Sequence, residues 1–247
     1  MTGWRAALER FLLPNACVSC ERMVEPFAPD ALVCRVCVTR LRPLRAGCER
    51  CSQPLPPVGP CRFCAPWPSA LRRVTSAVWL GAEARAVVHH LKYDGFHALG
   101  DLAAEVIART CARPSTGVLA PIPLSTARRR RRGYNQAEAI TRELGRRWRL
   151  PVEPGILRRA QDTGTQTALT PDERARNVAD AFEATRRAAA PPAAEGGEAP
   201  IILVDDVLTT GATLGAAARP LVGCGWEHVE AVTFARALTY ELAADAA

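Results

Sequence analysis

Beyond residue 68, short apolar runs alternate with segments in which apolar residues recur every three or four positions. The apolar runs predict strands at residues 74–80, 117–121, 201–204 and 229–235. The spaced apolar residues predict amphipathic helices at residues 83–92, 99–111, 136–148 and 213–224. Strands and helices that alternate in this way are typical of a mostly parallel sheet with flanking helices, so the predicted fold class is α/β.

The segment before this pattern has a different composition. Residues 14–68 hold too few apolar side chains to form a core, so a module folded there needs another source of stability. We therefore expect an N-terminal module at residues 1–68 and an α/β domain at residues 69–247. Within the second domain, the segment 186–199 is rich in Ala, Pro and Gly, which predicts a mobile surface connection.

Eight of the ten cysteines form four successive Cys-x-x-Cys pairs in the N-terminal module. Two such pairs separated by a short loop are the usual ligand set for tetrahedral zinc, because each pair forms a tight turn whose thiolates converge. A disulfide framework is the alternative, but it requires export, and Glu9 and Arg10 interrupt the first apolar run before a signal peptide can form. The spacing leaves open whether the first pair shares its zinc with the second pair or the third. The predicted ligands of two structural Zn²⁺ ions are Cys17, Cys20, Cys34, Cys37, Cys48, Cys51, Cys61 and Cys64.

Composition excludes several classes of protein. With 48% apolar and 23% charged residues, the chain is neither disordered nor a coiled coil. Its apolar runs are far shorter than the roughly 18 residues that span a bilayer, so we expect a soluble, cytoplasmic protein without membrane insertion. The net charge is +7, and residues 125–150, with nine arginines and two glutamates, account for all of this excess. Any anion-binding surface is therefore expected to be local.

The sharpest chemical signal follows the strand predicted at residues 201–204. Two carboxylates come directly after it, at the sheet edge where open α/β folds bind ligands, and a Thr-Thr-Gly-Ala-Thr turn then opens a helix. The glycine allows close backbone approach, and the exposed N–H groups and the helix dipole favour an anion. The carboxylates can bind sugar hydroxyls or a Mg²⁺ ion that bridges to the ligand. This run resembles the 5-phosphoribosyl 1-pyrophosphate (PRPP) motif of type I phosphoribosyltransferases. The residues concerned are Asp205, Asp206, Thr209, Thr210, Gly211, Ala212 and Thr213.

The resemblance extends over nearly the whole chain. After the cysteine pairs come, in order, Leu91-Lys92-Tyr93, Pro121-Ile122-Pro123-Leu124-Ser125, Arg132-Gly133-Tyr134-Asn135-Gln136-Ala137-Glu138 and Arg174-x-x-Asn177-Val178. These runs are similar to those of the ComF/GntX family. The resemblance implies a double zinc ribbon followed by a type I phosphoribosyltransferase-like domain. It also implies PRPP with Mg²⁺, incoming single-stranded DNA and the DNA-uptake machinery as partners, because the best-known members support natural transformation.

The resemblance also assigns roles to individual residues. The candidate catalytic pair Asp205 and Asp206 would hold the ribose hydroxyls, and residues 209–213 would hold the 5′-phosphate. A pyrophosphate loop would lie at Pro123, Leu124 and Ser125. Residues 161–169 fall where type I enzymes carry a mobile hood, which excludes water from an oxocarbenium-like transition state. For Lys92 and Tyr93, a role near the pyrophosphate is one interpretation, but we expect ordinary packing.

A run of five arginines has two interpretations. It is either a solvated charge cluster or a contact surface for a phosphate backbone, with Tyr134 as a stacking partner for a base. Two functions follow from the sequence: a DNA-handling protein with a phosphoribosyl-binding pocket, or an enzyme that transfers phosphoribosyl from PRPP to an unknown acceptor. The candidate nucleic-acid residues are Arg128, Arg129, Arg130, Arg131, Arg132 and Tyr134.

Overall fold

The computed structural model describes residues 15–25, 30–45, 47–55, 59–160, 181–188 and 199–237. Its centre is a four-stranded sheet, and a separate two-stranded hairpin lies beside it. In chain order the elements are α1 (Arg35–Thr39), β1 (Leu71–Trp79), α2 (Ala82–Tyr93), α3 (Leu99–Thr110), β2 (Val118–Pro121), α4 (Thr126–Arg132), α5 (Gln136–Trp148), β3 (Leu157–Arg159), β4 (Phe182–Ala184), a 3-10 helix (Arg186–Ala188), β5 (Ile201–Leu208), α6 (Ala212–Val222) and β6 (Val229–Arg236).

The four-stranded sheet has the order β1-β6-β5-β2, and all its strand pairs are parallel. The carboxyl ends of its strands therefore share one edge, which is the ligand-binding edge of open α/β sheets. The predicted α/β class, with a mostly parallel sheet and flanking helices, is confirmed.

Both faces of the sheet are buried, and the residues of β5 show how. Ile202 and Val204 pack in the core beneath α2, α3 and α5, whereas Ile201 and Leu203 pack in the core that contains α6 and the β3–β4 hairpin. Successive side chains of a strand point to opposite faces, so a strand covered on both sides needs an unbroken apolar run. This requirement explains the apolar run at residues 201–204.

Most predicted helices and strands are present within one to three residues of the expected bounds. The main difference is β5, which continues to Leu208 because Asp205 pairs with Thr233 and Val207 pairs with Ala235 of β6. The carboxylates therefore lie within the strand, and the prediction that the strand ends at residue 204 is wrong.

Three structured segments differ from the expectations. Helix α4 contains the arginine run and buries none of its residues, so it carries no hydrophobic pattern. The β3–β4 hairpin was not predicted either. Residues 186–188, expected to be mobile, form a 3-10 helix in which the buried Ala188 accepts a 2.6 Å hydrogen bond from the indole of Trp226. The remainder of that predicted connection up to residue 198, the expected hood, Arg174 and Asn177 lie outside the described residues.

The cysteine-rich segment is joined to the sheet by backbone contacts. Pro43 forms an antiparallel bridge with Val78, and the N–H of Leu44 donates to the carbonyl of Ala77 at 3.0 Å. These contacts join residues on either side of the predicted domain boundary at residue 68. That boundary remains a prediction. None of the helices in the described ranges is long and apolar enough to cross a membrane.

Candidate functional site

The eight paired cysteines form two clusters, and the pairs combine in sequential order. The first cysteine cluster is formed by the first two pairs and the second cysteine cluster by the last two, with the sulfur atoms of each lying within 4.8 Å of one another. The question that the spacing left open is thereby resolved. The first cluster consists of Cys17, Cys20, Cys34 and Cys37, and the second of Cys48, Cys51, Cys61 and Cys64.

The sulfur separations fit tetrahedral metal coordination. Four ligands at a Zn–S distance of about 2.3 Å lie about 3.8 Å apart at the corners of a tetrahedron. The Sγ atoms of Cys48 and Cys64 are 3.7 Å apart, and those of Cys51 and Cys61 are 3.6 Å apart. A disulfide would require about 2.05 Å. Both clusters could hold a metal ion, and four thiolates leave no open position for a substrate, as expected for structural zinc.

Arg50 attaches the second cysteine cluster to the α/β domain. Its guanidinium nitrogens donate to four backbone carbonyls at 2.7–3.1 Å, which lie between the last cysteine and the start of β1. The connection between the cluster and the sheet is therefore fixed by one planar side chain that satisfies several backbone acceptors. The accepting carbonyls belong to Cys64, Trp67, Pro68 and Leu71.

Arg236, at the end of β6, places a buried positive charge beside the same cluster. Its side chain is fully buried, it donates to the carbonyl of Cys51, and its guanidinium lies 4.3 Å from the centroid of the Phe63 ring. None of the ion pairs among the described residues includes Arg236, and two of its nitrogens have no hydrogen-bond partner. Burial lowers the pKa of Arg236, and the nearby thiolate of Cys51 opposes this shift. Four thiolates with one Zn²⁺ carry two negative charges, so a loaded cluster supplies the missing counter-charge.

One of the two carboxylates of β5 forms an ion pair with the only lysine in the sequence. Lys92, in the last turn of α2, places its Nζ 2.8 Å from Oδ2 of Asp206, whose side chain is 9% exposed. Oδ1 of Asp205 accepts a 2.8 Å hydrogen bond from the backbone N–H of Asp206. The expectation that Lys92 only packs is therefore wrong, because its ammonium group belongs to the acidic site.

Burial of Asp205 beside a second carboxylate favours its protonated form. Burial, and then the charge of Asp206, raise the pKa of Asp205 to about 8, against a smaller opposing effect of Lys92. Near neutral pH Asp205 is therefore largely protonated. Its carboxyl can then donate a hydrogen bond to a sugar hydroxyl that binds there.

The turn after β5 has the backbone of an anion-binding helix N-terminus. Gly211 has φ +80°, in the left-handed region, and is the N-cap of the 11-residue helix α6. It offers no side chain to the first N–H groups of that helix, and the N–H of Ala212 donates to Thr210 Oγ1 at 3.4 Å. Thr209 and Thr210 are exposed. This end of α6 therefore combines exposed threonine hydroxyls with a helix N-terminus that has no side-chain cap from its N-cap residue, as in anion-binding sites.

Trp67, from the segment after the second cysteine cluster, packs directly on this turn. Its indole N–H donates to the carbonyl of Thr210 at 3.1 Å. A Cβ added to Gly211 would lie 2.3–2.5 Å from three atoms of the indole ring. Only glycine fits this position, because of its positive φ and because the indole ring lies against it. The segment after the second cysteine cluster therefore packs against the candidate phosphate turn.

The predicted pyrophosphate loop lies at the start of α4. The hydroxyl of Ser125 accepts from the N–H of Arg128 at 3.3 Å and caps the helix, so this group is already used within the protein. Pro123 and Leu124 instead line a cavity of about 300 Å³ beneath the helix.

The five consecutive arginines of helix α4 lie in different environments. Four of the five arginines are exposed, whereas Arg132 is half-buried, bonds Gln136 at 2.9 Å and lies 5.3 Å from the centroid of the Tyr93 ring. The hydroxyl of Tyr134 donates to the carbonyl of Leu91, next to the lysine of the acidic site. Burial raises the pKa of Tyr134 to about 12, so this donor keeps its proton.

The structure thus brings together three of the predicted groups and adds others. The carboxylates, the turn at residues 209–213 and the second cysteine cluster form one neighbourhood, and Trp67, Lys92 and Arg236 join it through tertiary contacts. Only Lys92 had a signal in the sequence, as the single lysine. The arginine run has its own surroundings on α4.

Comparison with known proteins gives three informative matches. The chain is 36% identical to Competence protein F of Haemophilus influenzae over 120 residues, which is 47% of this chain and 49% of that protein. It is 28% identical to DNA utilization protein YhgH of Salmonella typhimurium over 219 residues, 83% of this chain and 91% of that protein. It is also 28% identical to Competence protein ComFC of Bacillus subtilis over 207 residues, 80% of each chain. No model of a protein family matches the chain. The chain is therefore similar over most of its length to proteins named for competence and DNA utilization, and its two cysteine clusters fit a double zinc ribbon.

Proposed function

We propose that this chain binds PRPP or a related phosphoribosyl ligand at residues 205–213 and handles single-stranded DNA during DNA uptake. The first part rests on one observation: two carboxylates and an uncapped helix N-terminus lie together at the carboxyl edge of a parallel sheet. Carboxylates suit ribose hydroxyls or Mg²⁺, and the helix N-terminus suits a phosphate. Thr209, Thr210 and Thr213 add hydroxyl donors.

The DNA part is supported by the names of the relatives, which refer to competence and DNA utilization. The matches to the second and third of these proteins extend over at least 80% of both chains. A local excess of arginine on α4 is the matching physical feature, because DNA affinity depends chiefly on contacts between cations and phosphates.

The ligand site is tested by a thermal shift with PRPP and Mg²⁺. A ligand at about 100 times its Kd stabilises a protein by about 2.7 kcal/mol, which raises the Tm of a chain of this size by roughly 5–11 °C. Asp205→Asn with Asp206→Asn should abolish this shift. The control is Asp101→Asn with Glu105→Gln, which removes two carboxylates from the surface of α3 and should leave the shift intact. An unchanged shift in the first variant would refute the assignment.

Two further measurements complete the test. Release of pyrophosphate from PRPP, with a panel of acceptor bases, would favour the enzyme that the sequence offered as the alternative. Binding of a labelled single strand should weaken with salt at a log–log slope near −2 to −3.5, since each of roughly three to five phosphate contacts contributes about −0.7. A slope near zero would argue against DNA handling.

A further inference from the structure

A cavity of about 300 Å³ between α4 and the β3–β4 hairpin is lined by four arginines and one acid. Arg129 and Arg130 come from α4, and Arg158 and Arg159 come from β3. Glu138, from α5, is the acidic residue of the lining. The lining therefore carries a formal charge of +3, and its positive charges come from two elements that are separate in the sequence. We call this site the arginine cavity.

The geometry of α4 divides the arginine run between different sides of the helix. Arg129 and Arg130 line the arginine cavity, whereas Arg132 contacts Tyr93 on the side of the acidic site. Arg128 and Arg131 are exposed and do not line the cavity. The run is therefore not a uniform charge cluster, and its members can be tested against one another.

The contacts of Arg129, Arg130 and Arg158 leave positive charge available to a ligand. Arg129 forms two hydrogen bonds with Glu138, at 2.8 and 3.1 Å, and Arg158 pairs with Glu183 at the surface. Among the residues that the structure describes, Arg130 takes part in no ion pair. Exposed ion pairs such as that of Arg158 contribute little and exchange readily for a stronger partner.

The walls of the cavity fit a nucleotide unit. Guanidinium groups bind phosphate oxygens through two parallel hydrogen bonds, which makes clustered arginines a typical phosphate site. The other lining residues include Pro123, Leu124, Pro154 and Leu157, whose apolar surfaces can contact a sugar or a base. The volume lies at the small end of ligand cavities, which suits one unit of a flexible strand and not a rigid duplex.

We propose that the arginine cavity binds the phosphate backbone of single-stranded nucleic acid, at a position separate from residues 205–213. This inference rests on the proposed DNA handling and gives it a location. It assigns a function to Arg158 and Arg159, which no sequence motif indicated, and it removes Arg128 and Arg131 from the predicted contact surface.

The test compares two variants that each lose two arginine charges. Arg130→Gln with Arg158→Gln removes charge from the cavity, and Arg128→Gln with Arg131→Gln removes the same charge from the exposed side of α4. With a fluorescein-labelled oligo-dT strand, the first variant should lose about tenfold in affinity, and its log–log salt slope should become less negative by about 1.4, for two contacts. The second should change affinity less than about threefold. The single variant Arg130→Gln, at an exposed position, should show about half of the loss in salt slope.

The outcomes distinguish failure of the arginine cavity as a site from failure of the proposed DNA handling. Equal losses in the two double variants would overturn the arginine cavity as a site while leaving DNA handling in place. Failure of the unsubstituted protein to bind the strand would overturn both. Because pyrophosphate has similar chemistry, the PRPP thermal shift is measured on the cavity variant as well: an unchanged shift supports a separate strand site, and its loss would assign the cavity to the phosphoribosyl ligand.

Discussion

Replacing Gly211 by alanine tests how closely the metal-binding segment is joined to the candidate phosphate turn. Alanine at a φ of +80° costs about 1–2 kcal/mol, because its Cβ crowds the following carbonyl. The added Cβ would also lie 2.3–2.5 Å from three indole atoms of Trp67, and overpacking of this kind typically costs about 1–3 kcal/mol. Together these effects predict a loss of about 3 kcal/mol, or a decrease in Tm of roughly 6–12 °C for a chain of this length.

The chain offers a matched control at Gly133. Its φ is +77°, and an added Cβ would have nothing within 4 Å, so Gly133→Ala should cost only the backbone part, about 1.5 kcal/mol. Differential scanning fluorimetry of the zinc-loaded proteins measures both. Adding Trp67→Leu should make the loss caused by Gly211→Ala smaller than in the parent, since the clash is removed. Equal decreases in Tm for the two glycine variants, with no coupling to Trp67, would refute the close contact.

Three further predictions concern metal and pH. Elemental analysis should find close to two zinc ions per chain, and Cys34→Ser should reduce this to one, whereas a metal-free protein with disulfides would contradict the cluster assignment. Arg236→Met should make the second cysteine cluster lose zinc at a lower chelator concentration than the first, because the buried counter-charge is removed; equal loss from both would count against that role. Because the folded state raises the pKa of Asp205 to about 8, folding retains a proton there, and this group costs stability progressively as pH rises from about 4 to 8. Asp205→Asn should therefore gain Tm relative to the parent between pH 5 and pH 8, and a difference that does not vary with pH would disprove the shift.

The sequence predicted those features that depend on neighbouring residues. The bounds of α5 were predicted correctly, and the carboxylates and the glycine turn were located because they occupy one short segment that joins a strand to a helix. The hydrophobic pattern did not predict helix α4, because this helix buries none of its side chains. Its end signals were nevertheless present, with Ser125 as N-cap and Gly133 in the left-handed conformation at the C-terminus.

Contacts between distant residues could not be predicted in this way. Trp67 and Thr210 are 143 residues apart in the sequence, and Cys51 and Arg236 are 185 apart. Nothing in the local pattern of a strand distinguishes an arginine that ends in solvent from one buried against a cysteine cluster. The sequential arrangement of the cysteine pairs was likewise decided by three-dimensional packing, since the spacings allowed either arrangement.

The bridge between Pro43 and Val78 has a consequence for self-association. Strand β1 lies at the outer edge of the sheet, where unpaired backbone groups can recruit a strand from another molecule. The segment around Pro43, which lies between the two cysteine clusters, covers this edge at residues 77–79, and proline cannot donate a ladder hydrogen bond to a further strand. Loss of metal would release this segment and expose β1. Zinc would thus protect the protein from edge-to-edge aggregation, and chelated samples should form oligomers rich in intermolecular β-structure while the parallel sheet itself stays intact.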